Sequence, residues 1–293
     1  MSWENAPLPE NNIDPDDKPL QEVVLLLVGV LGIVLLLSTA LSAGAGWLAS
    51  WIPFSVERRF ADAVVPALST PENEDPLRTE AEKALQHMAD RIGADLGMTP
   101  SMPLRVHLLE DEGINAFASI GGHLFVMRGL LEKIPHENAL VMLLGHEIGH
   151  IVHRDPAVAL VRGLSLSVLL GGVFGLSDTE VLRRSMEAAG LMAVLSFSRD
   201  QERAADEAGL RSLQAWYGHT SGAADLFATL SLAHAEGEAP PVLLSSHPAL
   251  EERITHTRSV QDSLKTTPLS GPIAAYVARS RTVSSSDRTV TGP

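Results

Sequence analysis

The sequence predicts an α+β fold that is mostly α: a compact helical domain with a small β-sheet beside an H-E-x-x-H helix, preceded by one N-terminal transmembrane helix. Three observations predict it. Residues Val23 to Val56 carry no charge and open with a long apolar run. Several later segments repeat their apolar residues at helical spacing, whereas 104–127 alternates in strand fashion. His146-Glu147-Ile148-Gly149-His150 lies in an apolar stretch, which marks its helix as buried.

Composition narrows the chemistry. The chain has no cysteine, so disulfides and thiolate sites are excluded and any metal must be held by His and carboxylate. The net charge is -14 with no long basic run, which excludes the clustered basic surface that nucleic acid requires. Aromatics make up only 4 %, so the core must be built from Leu, Val, Ile, Ala and Met.

Along the chain, 1–22 is polar, acidic and Pro-rich and reads as a disordered lead-in. Residues 23–45 form an apolar run long enough to cross a bilayer core of ~30 Å as a helix. Trp47 and Trp51 follow where an aromatic belt would sit. A cleaved signal peptide is the alternative, since Ala43-Gly44-Ala45 has the small-x-small form, but the preceding segment is acidic and the run is long. A core helix would rarely stay apolar on every face. Residues 46–76 read as a connector. The folded domain is expected over 77–265, and 266–293, rich in Ser, Thr and Pro, reads as a disordered tail.

Within the domain, Asp75 can cap a helix that begins at Pro76, repeats Leu85, Met88, Ile92 and Leu96, and ends at Gly97. Strands are expected at 104–109, 114–120 and 123–127. Pro135 to His153 reads as the motif helix, stopped by Asp155-Pro156. Val158 to Leu176 is apolar but contains Arg162, which disfavours a second span. Asp178 to Gln214 reads as one long helix.

On a helix, residues four apart point the same way, so His146 and His150 can offer two imidazoles to one ion. Glu147 is displaced around the helix and can reach a water at the ion rather than the ion itself, as a catalytic base. Two buried histidines beside a carboxylate would be costly without a metal. A catalytic zinc site takes three protein ligands and an open position. Glu202 and Asp206, four apart on one predicted helix, can supply the third ligand and an acceptor for a ligand histidine. Ala204 and Ala205 would allow close helix approach. An ordinary charged helix face remains the alternative on spacing alone.

The constellation resembles peptidase family M48. The resemblance spans roughly Arg78 to Arg258. It rests on Asn115-Ala116-Phe117-Ala118, Gly121-Gly122, Arg128-Gly129-Leu130-Leu131, His146 to His150, Ser198-Arg199 with Glu202, Ala205 and Asp206, and Ser246-His247-Pro248 with Arg253. It implies a gluzincin fold with one zinc per chain at His146, His150 and Glu202, Glu147 as base, and Asp206 behind the ligands. It further implies that the strand ending near Met127 is the sheet edge, along which a polypeptide substrate is laid near Asn115, Phe117, His123, Phe125 and Met127; the alternative is that Asn115 and Phe117 only shape a turn and the core. His247 and Arg253 are candidates to stabilise the oxyanion. The alternatives are a helix cap for His247 and an acidic partner for Arg253.

The expected function is a zinc endopeptidase for misfolded or membrane-associated polypeptides. A catalytically quiet client-binding protein is the alternative, and the intact Glu147 argues against it. With one clear span and no repeat-rich extension, the chain looks like the single-span bacterial members. That likeness implies an inner-membrane anchor with the domain on the extracytoplasmic side, although Lys18 before the span and Arg58 and Arg59 after it favour the opposite side by charge.

Overall fold

The computed structural model describes residues 19–65, 75–163, 197–235, 250–263 and 265–290. Most of the lead-in, the part of the apolar segment beyond residue 163, and His247 lie outside them.

The apolar run forms α1 (Pro19–Ser50). Its Leu20–Leu41 stretch is long and apolar enough to cross a membrane, and none of it is buried against the rest of the protein. Ala45 and Ala49, near its far end, are buried. The connector is not featureless: α2 (Phe54–Val64) follows a short turn. Then α3 (Pro76–Asp95) begins as expected, with the Asp75 side chain accepting from the Leu77 N–H. Its stripe of Ala81, Leu85, Met88, Ala89 and Ile92 joins the main core.

Three strands follow: β1 (Arg105–Leu109), β2 (Ala116–Ala118) and β3 (His123–Met127), with a tight 3-10 turn at Ile120–Gly122 between the last two. Their order is β1-β3-β2, with β1 parallel and β2 antiparallel to β3. This corrects the sequence expectation: β3 is the central strand and cannot be the edge. Periodicity identifies strands but not which of them lies in the middle, and here the edge beside the motif helix is β2. One face of the sheet (Val106, Leu108, Ala116, Ala118, Leu124, Val126) lies in the main core. The other face stacks His107, Phe125 and Phe117 beneath α2, whose Ala61 packs with Phe125.

After α4 (Arg128–Lys133), the motif helix α5 (Glu137–Val152) runs through the core. His136 caps it, with Nδ1 accepting from the Ala139 N–H. The Asp155-Pro156 stop is only a break, because residues 155–163 are helical again. The next described helix is α6 (Arg199–Tyr217). It does not continue back through 197–198. A reciprocal capping box between Ser198 and Gln201 starts it, and Gly218, left-handed at φ 73°, ends it. The rest of the expected helix, 178–196, lies outside the described residues.

Two shorter helices follow: α7 (Ala223–Ala235) packs against α5 and α6, and α8 (Leu250–Ser259) packs against α7 and sends Arg253 to Asp206 of α6. The tail is also corrected. Gly271–Val290 forms α9, whose Ile273, Tyr276 and Val277 are buried in the main core. Ile273, Tyr276, Val277 and Ser280 make an i, i+3, i+4, i+7 stripe, which outweighs the Ser- and Thr-rich composition.

Candidate metal centre

The site is made by two helices that approach unusually closely. A Cβ added at Gly145 would lie 2.5 Å from Ser212 Oγ, and one at Gly149 would lie 2.8 Å from Ala208 Cβ. The small residues that face α5 are therefore Ala205, Ala208 and Gly209; Ala204 is only partly buried. This contact brings Glu202 and Asp206 of α6 up to His146 and His150 of α5.

The two histidines are fixed by carboxylates behind them. His146 Nδ1 lies 2.9 Å from Asp206 Oδ1, and His150 Nδ1 lies 2.7 Å from Asp155 Oδ2. An ionised carboxylate only accepts, so each Nδ1 carries the proton and each Nε2 presents a lone pair. The two Nε2 atoms lie 3.2 Å apart. Two acceptors cannot bond one another, but that spacing is close to the ~3.3 Å edge of a tetrahedron with ligand distances of ~2.0 Å. Burial and the nearby Arg253 charge push His146 down to about 3, which keeps the imidazole neutral and ready to ligate. Glu202 completes the group. Its oxygens lie 3.6 Å from His150 Nε2 and 3.8 Å from His146 Nε2. Ligand atoms of all three residues lie within 4.8 Å of one another, and the donor set of two imidazoles and one carboxylate suits zinc.

Arg253 bridges the two carboxylates of α6. Its Nε and Nη2 donate to Asp206 Oδ2 and Oδ1 at 2.8 and 2.6 Å, and its Nη1 lies 3.0 Å from Glu202 Oε2. The guanidinium also lies over the Phe227 ring, 4.3 Å from its centroid. This is the acidic pairing that the sequence had left open against an oxyanion role. Burial works to raise the Asp206 carboxyl, but the hydrogen bonds from His146 and Arg253 and the Arg253 charge hold it well below the usual carboxylate range.

Glu147 is buried on the same helix. Burial lifts its carboxyl to about 7; the Glu202 charge adds to this, while His150 and the Ala118 N–H oppose it. Its Oε2 accepts from the Ala118 N–H at 2.9 Å. Ser119 N–H donates to His123 C=O, and Met127 N–H to Asn115 C=O, so ladder alternation turns the backbone groups of Ala116 and Ala118 outward. The free edge of β2 thus faces the carboxylate.

The substrate-side expectations separate accordingly. Asn115 is buried at the start of β2, and Phe117 lies on that strand. His123 and Phe125 are buried toward α2, with His123 Nδ1 2.9 Å from His107 Nε2. Met127 ends the central strand. The residue brought to Glu147 is Ala118, not His123, Phe125 or Met127. Sequence reasoning also missed Asp155, whose Oδ1 accepts from Gln201 Nε2 at 2.6 Å. Read as a helix stop, it orients His150. The available signal was a carboxylate just past the last histidine. Phe197, stacked 4.1 Å from His150, was missed as well.

The model of peptidase family M48 matches residues 78–261. The chain is 24 % identical over 246 residues to a putative beta-barrel assembly-enhancing protease of Vibrio cholerae, covering 80 % of this chain and 50 % of that protein. It is 26 % identical over 210 residues to the beta-barrel assembly-enhancing protease of Yersinia pestis, covering 66 % and 41 %. It is 31 % identical over 166 residues to the mitochondrial metalloendopeptidase OMA1 of Schizosaccharomyces pombe, covering 56 % and 48 %. The chain thus spans half or less of the length of these relatives.

Proposed function

The chain belongs to peptidase family M48, and from that premise we propose that it is a membrane-anchored zinc endopeptidase with His146, His150 and Glu202 as ligands and Glu147 as base. The observation that carries this reading is the pair of Nε2 atoms 3.2 Å apart, each imidazole held from behind by a carboxylate. A zinc ion bound there would lower the pKa of water to about 7 and polarise a peptide carbonyl.

Glu147 takes a proton from the attacking water and returns it to the leaving amine. A carboxyl lifted by burial is matched to holding a proton near neutral pH. Arg253 offsets part of the negative charge of Glu202 and Asp206 and orients both. The outward N–H and C=O of Ala116 and the C=O of Ala118 offer an extended peptide a strand to pair with, while the Ala118 N–H is held by Glu147. Backbone pairing of this kind is nearly blind to sequence and suits misfolded or membrane-associated polypeptides.

A membrane-length α1 is compatible with a single-pass anchor. We place the domain on the extracytoplasmic face of a bacterial inner membrane, in keeping with the single-span bacterial members that the chain resembles. The relatives' names, beta-barrel assembly-enhancing protease and metalloendopeptidase, support a role in membrane-protein quality control. The test is casein cleavage by the full-length protein in detergent, before and after chelation and after zinc is returned. The reading predicts loss and recovery of cleavage. Cleavage that persists after complete removal of the metal contradicts it.

A further inference from the structure

The motif helix ends beside an unusual backbone conformation. His153 caps α5, and Arg154 then adopts φ 64°, the one positive value at a non-glycine residue among the described residues. A Cβ disfavours this left-handed region, and glycine or asparagine is the usual occupant at a helix end. The reversal carries Asp155 back toward the helix, where it accepts from His150 Nδ1. Glycine would make the same turn with less strain, so the arginine points to a use for its side chain.

That side chain reaches to the membrane helix. Arg154 Nη2 donates to Ile52 C=O at 2.6 Å, lies 3.5 Å from Ala49 C=O, and pairs with Glu57 Oε1. Ala49 lies in the last turn of α1, at the negative end of the helix dipole, and its C=O also accepts from the Ile52 N–H at 3.1 Å. Glu57 is buried on α2 and also accepts the backbone N–H of Gly121, in the turn that joins β2 to β3. A Cβ at Gly121 would lie 2.8 Å from Arg58 Cα, so this turn sits hard against α2. One ion pair therefore touches the end of the anchor, the turn beyond β2, and the residue next to Asp155.

We propose that Arg154 is a positioning residue: together with Glu57 it ties the end of the membrane helix to the end of the catalytic helix, and so holds Asp155, and through it the His150 imidazole, in ligating orientation. This rests on the metal reading above. The site is then built partly on the anchor. Its geometry depends on residues about one hundred positions earlier in the chain.

The test is a pair of double-mutant cycles on the full-length protein in detergent, read as zinc dissociation constants by chelator competition. Arg154→Gly should weaken zinc binding about tenfold, the lower end of the range for residues that orient ligands. In the Asp155→Asn background it should add almost nothing, because its route is already cut. In the Asp206→Asn background, where the other imidazole is loosened, it should add in full. A general loosening of the fold would add equally in both backgrounds, and that result overturns the proposal, as does unchanged zinc affinity in Arg154→Gly. Where Arg154→Gly fails to fold, Arg154→Asn replaces it, since asparagine tolerates the left-handed turn and is too short to reach Ile52 and Glu57; the same two results decide. If the wild type holds no zinc, the underlying metal reading fails and takes this inference with it. If zinc binds and responds to Asp206→Asn but not to Arg154, only the inference fails.

Discussion

His150 Nδ1 and Asp155 Oδ2 lie 2.7 Å apart across the end of the catalytic helix, so the last histidine of the motif is oriented by the residue five positions on. His146 is held the same way by Asp206, which comes from another helix. Each imidazole thus has its own carboxylate. Asp155→Asn and Asp206→Asn should each weaken zinc binding by about 10–100-fold without abolishing it. Glu202→Gln removes part of a ligand and should lower zinc content further than either. Zinc titration against a competing chelator checks all three, and unchanged affinity in Asp155→Asn would remove it from the site.

Arg253 should be essential to the fold as well as to the site. Its guanidinium is buried against the carboxylates of Asp206 and Glu202. Removing one partner from such a group leaves buried charge uncompensated, at a cost of about 3–5 kcal/mol. Arg253→Met should therefore lower the denaturant midpoint of the zinc-free protein markedly, and Arg253→Lys should restore little because it cannot form the two-pronged contact. A near-wild-type midpoint in Arg253→Met would show that the carboxylates do not need it.

The C-terminal helix should behave as part of the core. Tyr276 is fully buried and its hydroxyl donates to Glu110 Oε1 at 2.7 Å. Tyr276→Ala should cost about 3–5 kcal/mol, the range for large buried aromatics. Tyr276→Phe should cost about 1 kcal/mol for the lost hydrogen bond. Chemical denaturation separates the two; equal and small effects would mean that the helix is dispensable.

Stability should fall in mild acid because of His123. Burial, with the nearby His107 adding, lowers its pKa from 6.5 to about 4. Between about pH 6.5 and pH 4 the unfolded chain binds the extra proton, so stability contributed by neutral His123 is complete above that window and is lost as pH falls through it. The thermal midpoint should drop from pH 7 toward pH 5, and His123→Gln should flatten that slope. A slope unchanged by His123→Gln would assign the pH dependence elsewhere.

The parts of the site that lie on single helices were legible in the sequence. Two histidines at i, i+4 share a face by helix geometry, and the Asp75 cap follows from local turn chemistry. Glu202 and Asp206 share the same spacing, but an ordinary charged face was equally open to them, and only the resemblance to family M48 singled them out. What was not legible depends on how elements meet. Strand order is set by pairing between distant segments, so β3 could be mistaken for the edge that is in fact β2. Arg253 had two possible targets until α8 was placed against α6. Asp155 looked like a helix stop because Asp-Pro usually marks one, and its second task appears only once Arg154 turns the chain back. The tail was misread because composition was weighed over the stripe of Ile273, Tyr276 and Val277, although Gly271-Pro272 is a legible helix start.

Zinc content and casein cleavage, measured side by side on the purified wild type and Glu147→Gln, decide whether Glu147 is the base of a zinc peptidase. About one zinc per chain is expected in both, with cleavage by the wild type and a loss of at least about 100-fold in the variant. Equal cleavage by the two proteins, or a wild type that cleaves without zinc, would contradict that role.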